Sequence, residues 1–113
     1  MDYKILNLKQ DAPSIEQALA IFQINLNVAK LEGVKVMKII HGYGSHGVGG
    51  GICLELRKML RSMKRSKEIK DYMLGNEWDI ARPKCLKLLG NLNDCYDDED
   101  LGKMNPGITI VVL

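Results

Sequence analysis

Apolar and polar residues alternate along the chain in patterns that predict four strands. Tyr3 to Leu8 alternate as a short strand does, whereas Val34 to Ile40 form a largely apolar, partly β-branched run that suits a strand buried on both faces. Ile69 to Leu74 predict a third strand, and the β-prone run from Ile108 to Leu113 predicts a fourth.

Two segments carry apolar residues at the spacing of an amphipathic helix. In the first, Ser14 followed by Gln17 is a capping-box signature, and apolar residues then recur at helical spacing, so a helix is predicted from about Ser14 to Glu32. In the second, apolar positions from Ile52 to Met63 predict a helix that ends near Ser66.

The segment between the third and fourth strands is less regular. Lys84 to Leu89 predict a short helical turn, and the acidic run from Asp97 to Asp100 is typical of a solvated loop. Weak periodicity and many Gly, Asn and Asp residues indicate that Glu77 to Met104 form a peripheral insertion that is less ordered than the strands.

The length and the order of elements predict one domain. At 113 residues the chain can build one core but not two, so residues 1–113 are expected to fold together. The order strand, helix, strand, helix, strand, irregular insertion, strand predicts an α/β fold, a two-layer sandwich with a small mixed sheet. Such sheets tend to bind ligands at the carboxyl ends of their strands, where a glycine-rich loop follows the second strand.

That loop lies in residues 39–51, IIHGYGSHGVGGG, which hold both histidines and six of the eleven glycines. A strand, a glycine-rich turn and a helix in succession present unpaired backbone N–H groups and the positive end of the helix dipole at one spot. An anion site is therefore predicted. The loop lacks the Lys and Ser/Thr of a P-loop, and no acidic residue is well placed to bind the ribose of a dinucleotide.

The two histidines add chemistry to this loop. At the strand exit, His41 is expected to donate to a phosphate or to shuttle a proton, because the ordinary pKa of imidazole lies near neutrality. For His46, in mid-loop, a structural and a functional role are equally compatible with the sequence. No ligand spacing supports a metal site at this pair, so none is predicted.

Positive charge is concentrated in the helix that follows the loop. Although the formal net charge is only +2, residues 57–70 hold seven of the sixteen Lys and Arg residues. Arg57, Arg61, Lys64 and Arg65 lie on adjoining parts of one helical face, which beside an anion site is typical of a surface that binds a polyanion. Aromatic residues make up only 5% of the chain, which argues against a base-stacking platform.

Cysteine content and hydropathy indicate the cellular compartment in which the protein is expected. Three cysteines without a C-x-x-C pair predict neither a disulfide framework nor a thiolate zinc site. No apolar run approaches the roughly 20 residues that span a bilayer, and the N-terminus lacks a basic region followed by an apolar core. The sequence therefore predicts a cytoplasmic protein that does not engage a membrane, and leaves its oligomeric state open.

The strand running into HGYGSHGVGGG and then a basic helix resembles the small MutS-related (Smr) domain family, whose His-Gly-x-Gly motif matches His41, Gly42, Tyr43 and Gly44. The resemblance also covers the other predicted strands and the capped helix, but not Glu77 to Met104. It implies a compact α/β sandwich, similar to the C-terminal domain of a bacterial translation initiation factor, that binds DNA or RNA and in some members nicks it.

The first strand departs from the family's pattern. Where the family commonly has Leu-Asp-Leu-His-Gly, this chain has Leu6, Asn7, Leu8, Lys9 and Gln10. Asn7 and Lys9 therefore replace the acidic residue and the histidine that the resemblance implies for cleavage. Lys9 can still contact a phosphate, but a lysine is a poor general base at neutral pH unless it is strongly desolvated. The comparison favours binding over catalysis.

Three functions are compatible with these features. The first is binding of nucleic acid, DNA or RNA, through its phosphates. The contact residues expected for this function are His41, Gly42, Tyr43, Gly44, Ser45, His46, Gly47, Gly49, Gly50, Lys9, Arg57, Arg61, Lys64 and Arg65. The second is a weak endonuclease of the same fold, with His41 as general acid or base and His46 or an acidic residue of the insertion as its helper. No cofactor is expected for binding, and a divalent metal ion is expected only for cleavage. The third is a small-anion or nucleotide-binding domain that uses only the loop. The salt dependence of binding would distinguish this third function from the first two.

Overall fold

A computed structural model describes residues 2–43, 48–90, 92 and 95–113. In chain order its elements are β1 (Tyr3–Asn7), α1 (Ile15–Leu31), β2 (Val36–Ile40), α2 (Val48–Arg65), β3 (Asp71–Leu74), a 3-10 turn (Gly75–Glu77), α3 (Pro83–Leu89) and β4 (Ile108–Val112). The predicted strands, both predicted main helices and the short helical turn are confirmed. So is the predicted α/β sandwich with a mixed sheet.

The strands form one sheet in the order β1-β2-β4-β3. β1 pairs with β2 in parallel, while β4 runs antiparallel to both β2 and β3. Consequently the carboxyl ends of β1, β2 and β3 lie at the same edge of the sheet as the start of β4. The glycine-rich loop leaves from this edge, because it follows Ile40 at the end of β2.

The start of α1 is fixed by its cap. The Ser14 hydroxyl accepts from the backbone N–H of Gln17 at 3.1 Å, and the Gln17 side chain accepts from the Ser14 N–H at 2.9 Å. This reciprocal pair satisfies N–H groups that a helix start would otherwise leave unpaired. Below the cap, α1 and α2 cover one face of the sheet with a core that includes Phe22, Leu56 and Met37.

The opposite face of the sheet is covered by the segment 77–104, which the sequence predicts to be peripheral. Its buried side chains pack against strand residues that include Val36, Met73 and Ile110. The contributing residues, each at most 2% exposed, are Trp78, Cys85, Leu89, Leu92 and Cys95. The prediction of a peripheral insertion is therefore wrong for these residues, because the central strands are apolar on both faces and require cover on each.

The acidic run from Asp97 to Asp100 also differs from the solvated loop that the sequence predicts. The side chains of Asp98 and Asp100 are only 2% and 15% exposed, and both accept from the ammonium group of Lys38, at 2.9 and 2.6 Å. Lys38 is fully buried in the middle of β2. Burying an ammonium group without a partner costs much free energy, so Lys38 requires carboxylate partners in the core. Asp98 and Asp100 of the acidic run supply them.

Asp98 is the centre of this buried cluster. Its carboxylate also accepts from the hydroxyl of Tyr3, and from the indole N–H of Trp78 at 2.9 Å. Burial raises the pKa of Asp98, but the hydrogen bonds from Tyr3, Lys38 and Trp78 outweigh burial and hold that pKa below its ordinary value. In the same way, burial alone would lower the pKa of Lys38, whereas its bonds to Asp100 and Asp98 raise it. The Lys38–Asp98 pair therefore stays ionised at neutral pH.

Candidate nucleic-acid interface

The loop begins at a sheet edge that is held by backbone contacts. The N–H groups of His41 and Gly42 both donate to the carbonyl of Gly107, at 3.0 Å each. Gly107 is held in turn by the side chain of Asn105, which accepts from its N–H at 2.8 Å and donates to Asp100 at 2.9 Å. The first residues of the loop are thus tied to the buried ionic cluster through the turn before β4.

Two of the predicted contact residues, Lys9 and Gly42, meet at this edge. Gly42 has a φ of +75°, which favours glycine, and a Cβ added there would lie 3.1 Å from Cδ of Lys9. The side chain of Asn7 accepts from the N–H of Lys9 at 2.8 Å, which turns the chain after β1. Asn7 therefore has a structural task, and the stem of Lys9 lies across the start of the loop.

His41 is fully buried, and both of its ring nitrogens are bonded within the protein. Nδ1 lies 2.7 Å from the carbonyl oxygen of Gly42 and must donate, since a carbonyl only accepts; Nε2 then accepts from the Thr109 hydroxyl at 2.8 Å. Burial lowers the pKa of His41, and the guanidinium of Arg57 lowers it further. A direct contact of this ring with a phosphate, or a role as general acid or base, does not fit this arrangement.

We expect the imidazole of His41 to titrate below the ordinary histidine pKa of about 6.5. Because the unfolded chain protonates first, His41 contributes stability that is fully present above about pH 6.5 and is lost as the pH falls through its lowered pKa. Its protonation should therefore add nothing to ligand binding at neutral pH. NMR titration of the His41 ring, with a His46→Ala variant to assign the signals, measures this pKa. A midpoint at or above about 6.5 would contradict the buried geometry.

The middle of the loop, where Gly44, Ser45, His46 and Gly47 are expected to contact a phosphate, lies outside the described residues. Before it, Tyr43 is 61% exposed, and after it α2 begins at Val48, so that Gly49 and Gly50 belong to the first turn of the helix. At Gly51 an added Cβ would lie 2.6 Å from Cδ1 of Ile15, the end of a flexible side chain that can shift to make room.

The basic face of α2 borders a cleft of about 250 Å³. The cleft is lined by Arg57, Arg61 and Lys64 from α2, by Asp71, Tyr72 and Leu74 from β3, by Glu77 and by Lys84 from α3. Four of these residues are cations and two are carboxylates, so the formal charge of the lining is positive. We refer to Arg57, Arg61, Lys64 and Lys84 together as the basic cleft.

Asp71 holds the two lysines of the basic cleft in place. Its carboxylate accepts from Nζ of Lys64 and from Nζ of Lys84, at 2.9 Å each. Burial raises the pKa of Asp71, but the hydrogen bonds from Lys84 and Lys64 lower it below its ordinary value. One negative charge is thus shared between two ammonium groups. The Nε of Arg57 is buried and, among the described residues, has no hydrogen-bond partner.

The structure brings Arg57, Arg61 and Lys64 into one cleft, as the helical spacing predicts, whereas Arg65 is exposed but does not line it. Sequence reasoning did not identify Lys84, which belongs to the segment interpreted as peripheral. The local sequence around Lys84 indicates only that this residue lies in the first turn of a short helix, because Pro83 precedes it.

Arg57 connects the basic cleft to the loop. Besides the basic cleft, it lines a second, shallow cleft together with Tyr43 and Gly50, and with Cys53 and Leu54 of α2. Arg57 is also close enough to His41 to lower the pKa of that ring. Tyr43 of the loop, Gly50 in the first turn of α2 and the basic cleft therefore border one continuous surface.

Two other kinds of site are absent from the described part of the chain. No group of three or more His, Cys, Asp or Glu side chains there is arranged to hold a metal ion. In the same residues, none of the helices combines the length and the apolar character that crossing a membrane requires.

Comparison with known proteins yields a match over nearly the whole chain. The crystal structure of the Smr domain of Thermus thermophilus MutS2 covers 97% of this chain and 96% of its own, with a TM-score of 0.60 and 21% sequence identity. The chain therefore has the fold of an Smr domain, and the predicted resemblance is confirmed at the level of the fold. No protein-family model matches the sequence, and no curated protein does.

Proposed function

We propose that residues 1–113 form a single Smr-like domain that binds nucleic acid through its phosphate backbone. The observation that carries this proposal is the basic cleft, in which Arg57, Arg61, Lys64 and Lys84 face a common volume beside the glycine-rich loop. Cations from α2 and α3 converge there although they are distant in sequence. Convergence of this kind is what a polyanion requires, since each neutralised phosphate adds to affinity by releasing counterions.

Several phosphates fit this surface better than one small anion does. Arg57 lines both the basic cleft and the shallow cleft beside Tyr43, so positive charge extends from the loop along α2. A single phosphate held at the start of α2 would not need Lys64 or Lys84. Lys9, whose stem lies across Gly42, offers a further cation at the start of the loop. We infer that a phosphate held by the loop residues Gly42 to Gly50 is continuous with phosphates held in the basic cleft.

Binding is favoured over cleavage. His41 is buried and neutral at pH 7, so in this arrangement it cannot reach a scissile phosphate. Asn7 and Lys9 stand where the family's acidic residue and histidine are expected, and Asn7 is engaged in the turn after β1. We infer that His41 positions the loop, by linking Gly42 to Thr109, and does not act as general acid or base.

The proposal is tested by titrating the protein into labelled duplex DNA, single-stranded DNA and RNA at several salt concentrations, with and without Mg²⁺. We expect affinity to fall linearly with the logarithm of salt concentration, with a slope of about −0.9 for each phosphate contact on duplex DNA. Inorganic phosphate and a mononucleotide should compete only weakly. Tight binding of a mononucleotide with no binding of the polymers would support the small-anion alternative, and strand breaks formed only with Mg²⁺ would support the endonuclease.

A further inference from the structure

α1 exposes a second apolar surface in addition to the one that it buries in the core. Ile21, Ile24, Val28 and Leu31 are 38%, 63%, 41% and 90% exposed, respectively. We call these four residues the α1 stripe. They follow one another at intervals of three, four and three residues, which places them in line along one side of the helix. This spacing is that of the a and d positions of a heptad.

On the neighbouring helix, Leu54 is the one large hydrophobic side chain that is exposed among those the structure describes. α2 packs on the same face of the sheet as α1, but its solvent side carries Lys58, Arg61, Lys64 and Arg65. A helix that only covers a sheet is expected to look like α2, with an apolar side toward the core and charged residues on the other. The contrast shows that the α1 stripe is not a general property of this layer.

The lack of charge around the α1 stripe indicates which kind of partner it binds. Residues 17–29, QALAIFQINLNVA, contain no charged residue, although 27% of the chain is charged. A helix that lies on a membrane surface usually carries Lys and Arg along its polar side, and a strongly charged protein partner would need the opposite charge here. An uncharged apolar seam with heptad spacing instead fits another helix of the same kind, and each copy of the chain supplies one.

We propose that the α1 stripe is a dimer interface on which α1 of a second copy of this chain packs in antiparallel orientation. A two-fold contact must be self-complementary, and this stripe meets that condition. With the two-fold axis passing the exposed side of α1 at the level of residue 26, Ile21 faces Leu31 of the partner subunit and Ile24 faces Val28 of the partner subunit. The four side chains then form apolar layers, and the antiparallel helix dipoles attract one another.

The shape of the surface agrees with this pairing. Beside the start of α1 lies a groove of about 490 Å³ that is lined by Gln10, Asp11, Pro13, Gln17, Ala20, Ile21 and Ile24. In the antiparallel register, Leu31 of the partner subunit, the most exposed member of the stripe, faces Ile21 at this groove. A protruding leucine opposite an apolar groove is a knob and hole of the kind that holds helix pairs together.

The interface is small, because it uses one face of one helix, so the dimer is expected to be weak and dependent on protein concentration. The test is sedimentation equilibrium of the full chain over a wide range of concentration. We expect the wild type to dimerise and Ile24→Glu to raise the dissociation constant by about 100-fold, because each copy would bury an unpaired carboxylate. Ile24 is 63% exposed, so circular dichroism should show an unchanged fold for this variant.

The matched control is Gln23→Glu, which adds the same charge at the neighbouring exposed position off the stripe and should dimerise as the wild type does. A wild-type chain that stays monomeric at all concentrations would overturn the proposal. A dimer that persists in Ile24→Glu would overturn it as well, since another surface would then be responsible. A monomer that binds uncharged lipid vesicles in an Ile24-dependent manner would assign the stripe to a membrane instead.

Discussion

Replacing Asp98 with alanine is expected to destabilise the fold by about 3–5 kcal/mol, a large part of the stability of a domain of this size. The substitution would leave the buried ammonium group of Lys38 with Asp100 as its one remaining carboxylate partner among the described residues. It would also remove the acceptor of the Tyr3 hydroxyl and of the Trp78 indole N–H. Urea denaturation followed by the fluorescence of Trp78, the single tryptophan of the chain, measures the effect directly.

The control for this prediction is Asp97→Ala, which removes an exposed carboxylate from the adjacent position. It should change the free energy of unfolding by no more than about 0.5 kcal/mol. An Asp98→Ala protein as stable as the control would contradict the buried ionic cluster.

The same cluster predicts how stability depends on pH. The pKa of Asp98 is lowered in the folded state, so its contribution is fully present above the ordinary aspartate pKa of about 3.9 and is lost as the pH falls through the lowered value. The pKa of Lys38 is raised, so its contribution is fully present below the ordinary lysine pKa of about 10.4 and is lost as the pH rises through the raised value. The wild type should therefore lose stability at both extremes, and Asp98→Asn should lose less in acid.

Replacing Arg57, Arg61 and Lys64 together with alanine is expected to weaken the binding of duplex DNA by about 500-fold at 0.1 M salt. This figure assumes that each of the three cations neutralises one phosphate and that each contributes little to affinity at 1 M salt. The slope of log affinity against log salt concentration should become shallower by about 0.9 for each phosphate of duplex DNA that the variant no longer neutralises. If these cations contact phosphates as proposed, the decrease in affinity should be similar for different base sequences.

A variant with the same change in net charge provides the control. Lys30, Lys35 and Lys103 are exposed and do not line the basic cleft, so replacing these three with alanine should leave the salt slope nearly unchanged. If both triple variants lose affinity equally, the effect comes from net charge, and a specific site at the basic cleft is ruled out.

Local signals in the sequence were sufficient to predict most of the fold. The capping box of Ser14 and Gln17 starts α1 where it was expected, and the apolar run before the glycine-rich loop is β2. These elements are specified by neighbouring residues, and so they can be read without knowledge of tertiary contacts.

The segment 77–104 could not be predicted in the same way, because its role depends on contacts with distant residues. Trp78 and Asp98 become buried only when the segment covers the second face of the sheet. One signal was available in the sequence: Lys38 stands in the middle of a strand predicted to be buried on both faces. A buried lysine requires a carboxylate partner, and the acidic run from Asp97 to Asp100 is the densest source of carboxylates in the chain.

The candidate site was predicted in part. Helical spacing correctly grouped Arg57, Arg61 and Lys64, because residues three and four apart share a helix face. The spacing could not reveal Lys84, which reaches the basic cleft from another helix and is held there by Asp71. Nor could the His-Gly-x-Gly motif show that the ring of His41 is buried, since its position depends on a hydrogen bond with Thr109 in β4.

The most direct test of the proposed function is an NMR titration of the isotope-labelled protein with a short duplex DNA, following each backbone amide and the arginine Nε–H groups. Binding at the basic cleft predicts that the largest shifts fall on Arg57, Arg61, Lys64 and Lys84 and on the loop residues near Gly42. The α1 stripe and the buried cluster around Asp98 should change little. Shifts concentrated away from the basic cleft, or no shifts at low salt, would contradict the proposal.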